Sequence, residues 1–168
     1  MVRKLTVVLA VGPKGAGKSI QGGILHKRFD FHHLDVGSLV AQEKSRNPEY
    51  CRAIEKFEEE SGIEKSGSGN RPTILLPDEL ILPLVAGYID GLLGNSRLYC
   101  NGIPRTWSQA AQLLDMLHNR WNCTAADITT LNITLRHEEA ARRRRQRGRH
   151  DDTEVGIKKG SEEFNREV

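Results

Sequence analysis

The run Val11-Gly12-Pro13-Lys14-Gly15-Ala16-Gly17-Lys18-Ser19 constrains this chain more than any other stretch. An apolar segment, Leu5 to Val11, leads into it and reads as a buried strand. A helical pattern leaves it, with Ile20, Ile24 and Leu25 on one side. Set between strand and helix, G-x-x-x-x-G-K-[ST] reads as a phosphate-binding loop rather than an ordinary glycine turn. Gly12, Gly15 and Gly17 open backbone conformations closed to other residues and allow close approach to an anion. Successive N–H groups then converge on a phosphate at the positive end of the helix. Lys18 reaches the terminal phosphates as a point charge, and the Ser19 hydroxyl offers an oxygen to Mg²⁺. The expected ATP-binding set is Gly12, Pro13, Gly15, Ala16, Gly17, Lys18 and Ser19, with Ser19 the metal ligand.

A chain of 168 residues supports one domain with a real core, covering residues 1–168. Pro or Gly interrupts every apolar run before it could cross a bilayer, and the run after Arg3 and Lys4 enters the phosphate loop instead of a cleavage site. Neither a membrane partner nor a signal peptide is expected. The cysteines, Cys51, Cys100 and Cys123, are scattered and form no C-x-x-C pair, which points to reduced thiols in a cytoplasm.

Downstream, His33 to Val36 reads as a second strand, with Gly37 as the turn after it. A charged helical stretch then runs from Leu39 to about Gly62, its run Glu55 to Glu60 a solvated face. Ser66-Gly67-Ser68-Gly69-Asn70 reads as a flexible loop, and residues 39–76 as a mobile arm within the domain. Pro77-Asp78-Glu79 opens a helix carrying Leu80, Ile81, Leu84 and Val85 at helical spacing. Pro83 should kink that helix or push its start downstream. Arg97 to Asn101 is the third strand, and Gly102-Ile103-Pro104-Arg105-Thr106 the loop at its carboxyl end. A helix from Trp107 to Trp121 follows, with Ala110, Leu114, Leu117 and Trp121 on one face and Trp121 packing in the core. Thr130 to Leu135 is the fourth strand. Alternating strands and helices predict an α/β fold, a parallel sheet of about four strands wrapped by helices, with ligands at the strands' carboxyl ends.

The segment from Glu138 onward packs Arg142, Arg143, Arg144, Arg145, Arg147 and Arg149 ahead of Asp151 and Asp152. A solvated helix, a nucleic-acid patch and a clamp on nucleotide phosphates are all compatible with that composition. The phosphate loop favours the clamp. Arg143 and Arg147 are one helical turn apart and point the same way, whereas Arg144 and Arg145 fit the solvated side.

These pieces resemble an adenylate kinase, a P-loop nucleoside monophosphate kinase. The resemblance rests on Gly12 to Lys18 with Gln21; on His33-Leu34-Asp35-Val36-Gly37-Ser38-Leu39; on Asn101 to Thr106 with Gln109-Ala110; and on Arg147-Gly148-Arg149-His150-Asp151-Asp152. It implies ATP + AMP ⇌ 2 ADP with Mg²⁺ as cofactor, in a cytoplasmic monomer with no nucleic-acid partner. It implies Lys18, Arg105 and Arg149 as catalytic residues, with Arg143 and Arg147 in the donor clamp. The acceptor set is Gly37, Ser38, Leu76, Gly102, Arg105, Gln109 and Arg149, with Gln109 reading the base edge. Asp151 and Asp152 would fix a short lid within residues 138–152.

The chain also departs from that pattern. Val36 and Ser38 replace the family's Thr and Asp, Ala41 replaces an Arg that grips the acceptor phosphate, and Asn101 replaces an Asp. Gly160 replaces a further phosphate Arg, with Ser161 after it where an apolar residue belongs. Both acidic residues that orient hydrated Mg²⁺ are thus missing from their motif positions. The departures leave room for a relative that binds nucleotide as a scaffold or sensor, and for a kinase with another acceptor.

Overall fold

The computed structural model describes residues 4–61, 75–92, 96–149 and 152–167. Four parallel strands form one sheet in the order β2-β3-β1-β4. They are β1 (Leu5–Val11), β2 (Phe31–Asp35), β3 (Ser96–Asn101) and β4 (Ile128–Asn132). The helices are α1 (Lys18–Phe29), α2 (Val36–Arg46), α3 (Pro48–Glu60), α4 (Asp78–Asp90), α5 (Trp107–Trp121), α6 (His137–Arg147) and α7 (Glu154–Glu167), with a 3-10 turn at Ala125–Asp127. The expected fold class is the observed one.

Side-chain alternation divides the sheet. Leu5, Val7, Leu9, Leu34, Leu98 and Cys100 face one way and join Ile81, Val85 and Ile89 of α4 with Leu113 and Leu117 of α5 in the main core. Trp121 belongs to that core, its Nε1 donating to Asp90 Oδ1 at 3.0 Å, so its packing role holds. On the other face His33 and Tyr99 meet edge to face, ring centroids 5.5 Å apart, and the Tyr99 hydroxyl donates to Lys18 O at 2.8 Å. That bond ties the first turn of α1 to the sheet.

Several expected boundaries move. Ile20 and Ile24 are not on a buried face of α1: they are 68% and 40% exposed. Gly22 turns inward instead, and a Cβ there would lie 2.5 Å from His33 Nε2. Close backbone approach at a glycine, not apolar periodicity, sets the rotation of this helix. Strand β2 starts and ends earlier than expected, because the Asp35 side chain accepts from Ser38 N and caps α2 at once. Gly37 therefore sits in the first turn of α2 instead of a turn before it.

The single helix expected from Leu39 to about Gly62 is two. Asn47 ends α2 and caps α3, its Oδ1 accepting from Glu49 N and Tyr50 N, and Pro48 opens α3. A residue before proline is driven out of the helical region, whereas proline suits a first helical turn. Pro83 lies inside α4 without displacing the helix start from Asp78, and its side chain is exposed. The buried stripe of α5 is Gln109, Leu113, Leu117 and Trp121, while Leu114 is exposed. Strand β4 ends at Asn132, short of Leu135. Its residues Thr129 to Asn132 are exposed at the edge of the sheet.

Candidate active site

Three loops meet at the carboxyl rim. The register sets Asp35 beside Asn101 and Asn101 beside Ala10, so the ends of β2, β3 and β1 are level. Gly12 has φ 139° and a Cβ on it would meet Ile133 O at 2.3 Å; Gly15 has φ 89° and packs against Ala140 O. Only glycine tolerates both demands. Gly17, at φ 96°, is the N-cap of α1 with no side-chain cap among the described residues, and the first turn carries no acid. Helix N–H groups left without a side-chain cap are an anion site.

The Lys18 ammonium folds back over the loop and donates to Gly12 O at 2.7 Å and Pro13 O at 2.9 Å. Burial, then the positive charges of Arg105, Lys14 and Arg147, push its pKa down to about 8, against the opposing pull of Asp35. These cations crowd one spot and gain from an anion that separates them. Arg105 is exposed at the end of β3, and a Cβ on Gly102 would lie 3.4 Å from its guanidinium and from Val36 Cβ. Gln109 is buried, and its amide oxygen accepts from Arg105 N at 2.9 Å. It thus braces the Arg105 loop, which the sequence did not indicate. Leu76 packs against the main core.

The arginines separate by partner. Arg143 is exposed and pairs with Glu139 at 2.7 Å. Arg147 pairs with Asp152 at 2.7 Å while bearing on Lys18. Arg145 is on the solvated side, as expected, and pairs with Glu154. Arg144 is not: it is 2% exposed, with Nε donating to Asp152 Oδ1 at 2.9 Å. Its guanidinium lies beside Gly160, where a Cβ would approach to 3.1 Å. Arg149 has an exposed side chain and ties its N–H to Asp152 Oδ2 at 3.1 Å. Burial would raise the Asp152 pKa, but hydrogen bonds from Arg147, Arg144 and Arg149 N outweigh it and hold the carboxyl well below its ordinary range. Asp151 lies outside the described residues.

One acidic group at the rim escaped the sequence reading. Asn101 Nδ2 donates both to Ser19 Oγ at 3.0 Å and to Asp35 Oδ2 at 2.5 Å. The other Asp35 oxygen accepts from Ser38 N and Ser38 Oγ. The visible signal was an Asp at the end of β2, one residue before the family motif's usual threonine.

Sheet order, loop and helix start together define a P-loop nucleotide-binding protein of the α/β class. A protein-family model described as an AAA domain matches residues 11–158. The chain is similar to the adenylate kinase of Porphyromonas gingivalis, 32% identical over 157 residues, covering 90% of this chain and 73% of that protein. It is also similar to adenylate kinases of Parabacteroides distasonis (28% identical; 84% of this chain and 67% of that protein) and Phocaeicola vulgatus (26%; 90% and 75%). The chain belongs to the adenylate kinase family of nucleotide kinases. Among the described residues, no helix is long and apolar enough to cross a membrane.

Proposed function

We propose that the chain transfers the γ-phosphoryl group of ATP to AMP, giving two ADP. The observation that carries this reading is the Lys18 ammonium folded over the Gly12–Ser19 loop at the uncapped start of α1, where the charges of Arg105, Lys14 and Arg147 are also felt. Phosphoryl transfer needs alignment and positive charge on the equatorial oxygens, with little covalent help from the protein. In this reading the amides from Gly12 to Ser19 hold the donor phosphates. Lys18 exchanges its contacts with Gly12 O and Pro13 O for the transferring group. Arg105, held by Gln109, orients the acceptor phosphate, with Gly37, Ser38, Gly102 and Leu76 around the acceptor. Arg149 and Arg143 complete the phosphate contacts when residues 138–152 close, with Asp152 anchoring that segment. Closure keeps water from taking the phosphoryl group.

The oxygen donors at Ser19 suit Mg²⁺, a hard cation that prefers hydroxyl, carboxylate and phosphate ligands. Ser19 would hold the ion, which when bound with ATP neutralises charge on the donor phosphates. A coupled assay with ATP, AMP and magnesium tests the reading: ADP should form well above a Lys18→Ala control. Equal rates in the two proteins would refute it.

A second reading, nucleotide binding with little transfer, is favoured by Ala41 and Gly160. Neither supplies a guanidinium, and the Arg144 group beside Gly160 is buried against Asp152. It predicts ATP binding without AMP-dependent turnover. Running CMP, UMP and GMP beside AMP separates both from a kinase with another acceptor.

A further inference from the structure

We infer that Asp35 is the carboxylate that positions the water shell of the nucleotide-bound magnesium ion, in place of an acid at residue 101. The inference rests on the reading of Gly12–Ser19 as the ATP site. Asn101 stands at the end of β3, next to the loop hydroxyl, and brings no charge. Its amide nitrogen has two hydrogens, and both are spent: one on Ser19 Oγ at 3.0 Å, one on Asp35 Oδ2 at 2.5 Å. The amide cannot be turned round, because its oxygen would then face the carboxylate. Asn101 is thus a neutral spacer fixing an anionic oxygen one hydrogen-bonded residue from the metal-binding hydroxyl.

The stoichiometry of hydrogen bonds agrees. Ser19 Oγ has two lone pairs; one accepts from Asn101 and the second is left for the ion. Mg²⁺ dehydrates reluctantly and keeps several waters, each a donor that needs an acceptor. Asp35 is the acidic side chain tied into this cluster, and its field is felt at Lys18. Oδ1 is occupied by Ser38 N and Ser38 Oγ, so the rotamer is fixed from both sides. Asp35 is a positioning residue here: it acts through water and through Asn101.

The same side chain caps α2, so a test must separate the two roles. Asp35→Asn keeps the cap through its one oxygen and removes the charge; its new NH2 group takes the place of the Oδ2 acceptor, and the Asn101 amide turns its oxygen round to accept from it. The experiment uses the full chain, a non-hydrolysable ATP analogue and no acceptor, with Mn²⁺ affinity read by electron paramagnetic resonance. Asp35→Asn should weaken Mn²⁺ binding to the nucleotide complex about 10-fold to 100-fold. In EDTA the same variant should bind the metal-free analogue as well as the parent or better, since a carboxylate repels bare phosphates. Its thermal midpoint should stay at the parent's. The exchanged pair Asp35→Asn/Asn101→Asp should recover most of the Mn²⁺ affinity. Unchanged Mn²⁺ affinity in Asp35→Asn, or an equal loss with and without metal, would overturn the inference while leaving the ATP site intact. A parent protein that binds no analogue at all would overturn both.

Discussion

Lys18 is the residue whose chemistry is most sensitive to its surroundings. With its pKa pushed down to about 8, the free protein carries a partly neutral lysine in mildly alkaline solution. A bound phosphate restores the charged form, so ATP binding takes up a proton once pH exceeds that value. Below it, affinity should not depend on this group; above it, affinity should fall about tenfold per pH unit. Titration calorimetry in buffers of different ionisation heat measures the uptake directly, and Lys18→Met should abolish it. A second residue-scale consequence follows from Gly22. Alanine there would drive its methyl into the His33 ring, which is already held against Tyr99. Gly22→Ala should cost about 1–3 kcal/mol, as overpacking does, and lower the melting temperature. Helix propensity alone would forecast the opposite sign.

At the scale of elements, two junctions decide the shape of the site's flanks. Between α2 and α3, Asn47 caps one helix with its oxygen while its nitrogen donates to Glu43 Oε1 at 2.8 Å. Asn47→Ala should destabilise by about 1 kcal/mol, as the loss of a cap usually does, and Asn47→Asp should keep most of the cap. Denaturant unfolding of the two variants compares them. Between α6 and α7, Asp152 holds Arg144 and Arg147 with a side chain that is 0% exposed. Asp152→Ala takes the carboxylate from the buried Arg144 guanidinium, which keeps its bond to Ile157 O, and removing one partner of such a pair costs about 3–5 kcal/mol. The depressed pKa sets the acid limit: this anchor is present above the ordinary Asp range and is lost only as pH falls through the lowered value. The junction should therefore persist in an acid titration followed by circular dichroism until the pH falls well below the ordinary Asp range.

Across the whole molecule, the proposed reaction requires two anionic ligands to lie end to end on one rim. A bisubstrate mimic should raise the melting temperature in proportion to the logarithm of its concentration, worth about 2.7 kcal/mol at a hundredfold excess over Kd. Lys18→Ala should erase that protection and Arg105→Ala should reduce it. Loss in one variant and full protection in the other would mean that only half of the mimic is held.

The loop from Gly12 to Ser19 was legible from sequence because its conformation is demanded locally: strand, positive-φ glycines and helix start lie within one short segment. The same holds for the parallel sheet, since alternating periodicities leave few other arrangements. Arg144 was misread because a run of arginines has no apolar contrast from which to judge a face. The segment that follows buries it, with Asp152 accepting from its Nε and with Ile157 O and Gly160 beside its guanidinium. The rotation of α1 was misread because a glycine approached by a ring from β2 leaves no trace in a helical pattern. Asp35 and Asn101 end two strands and Ser19 lies in the first turn of α1, far apart in the chain, and no local rule relates them. Sequence determined which atoms could bind phosphate, because backbone geometry is a short-range property. Tertiary structure decided which charges stand beside them, because that depends on how the strands come into register.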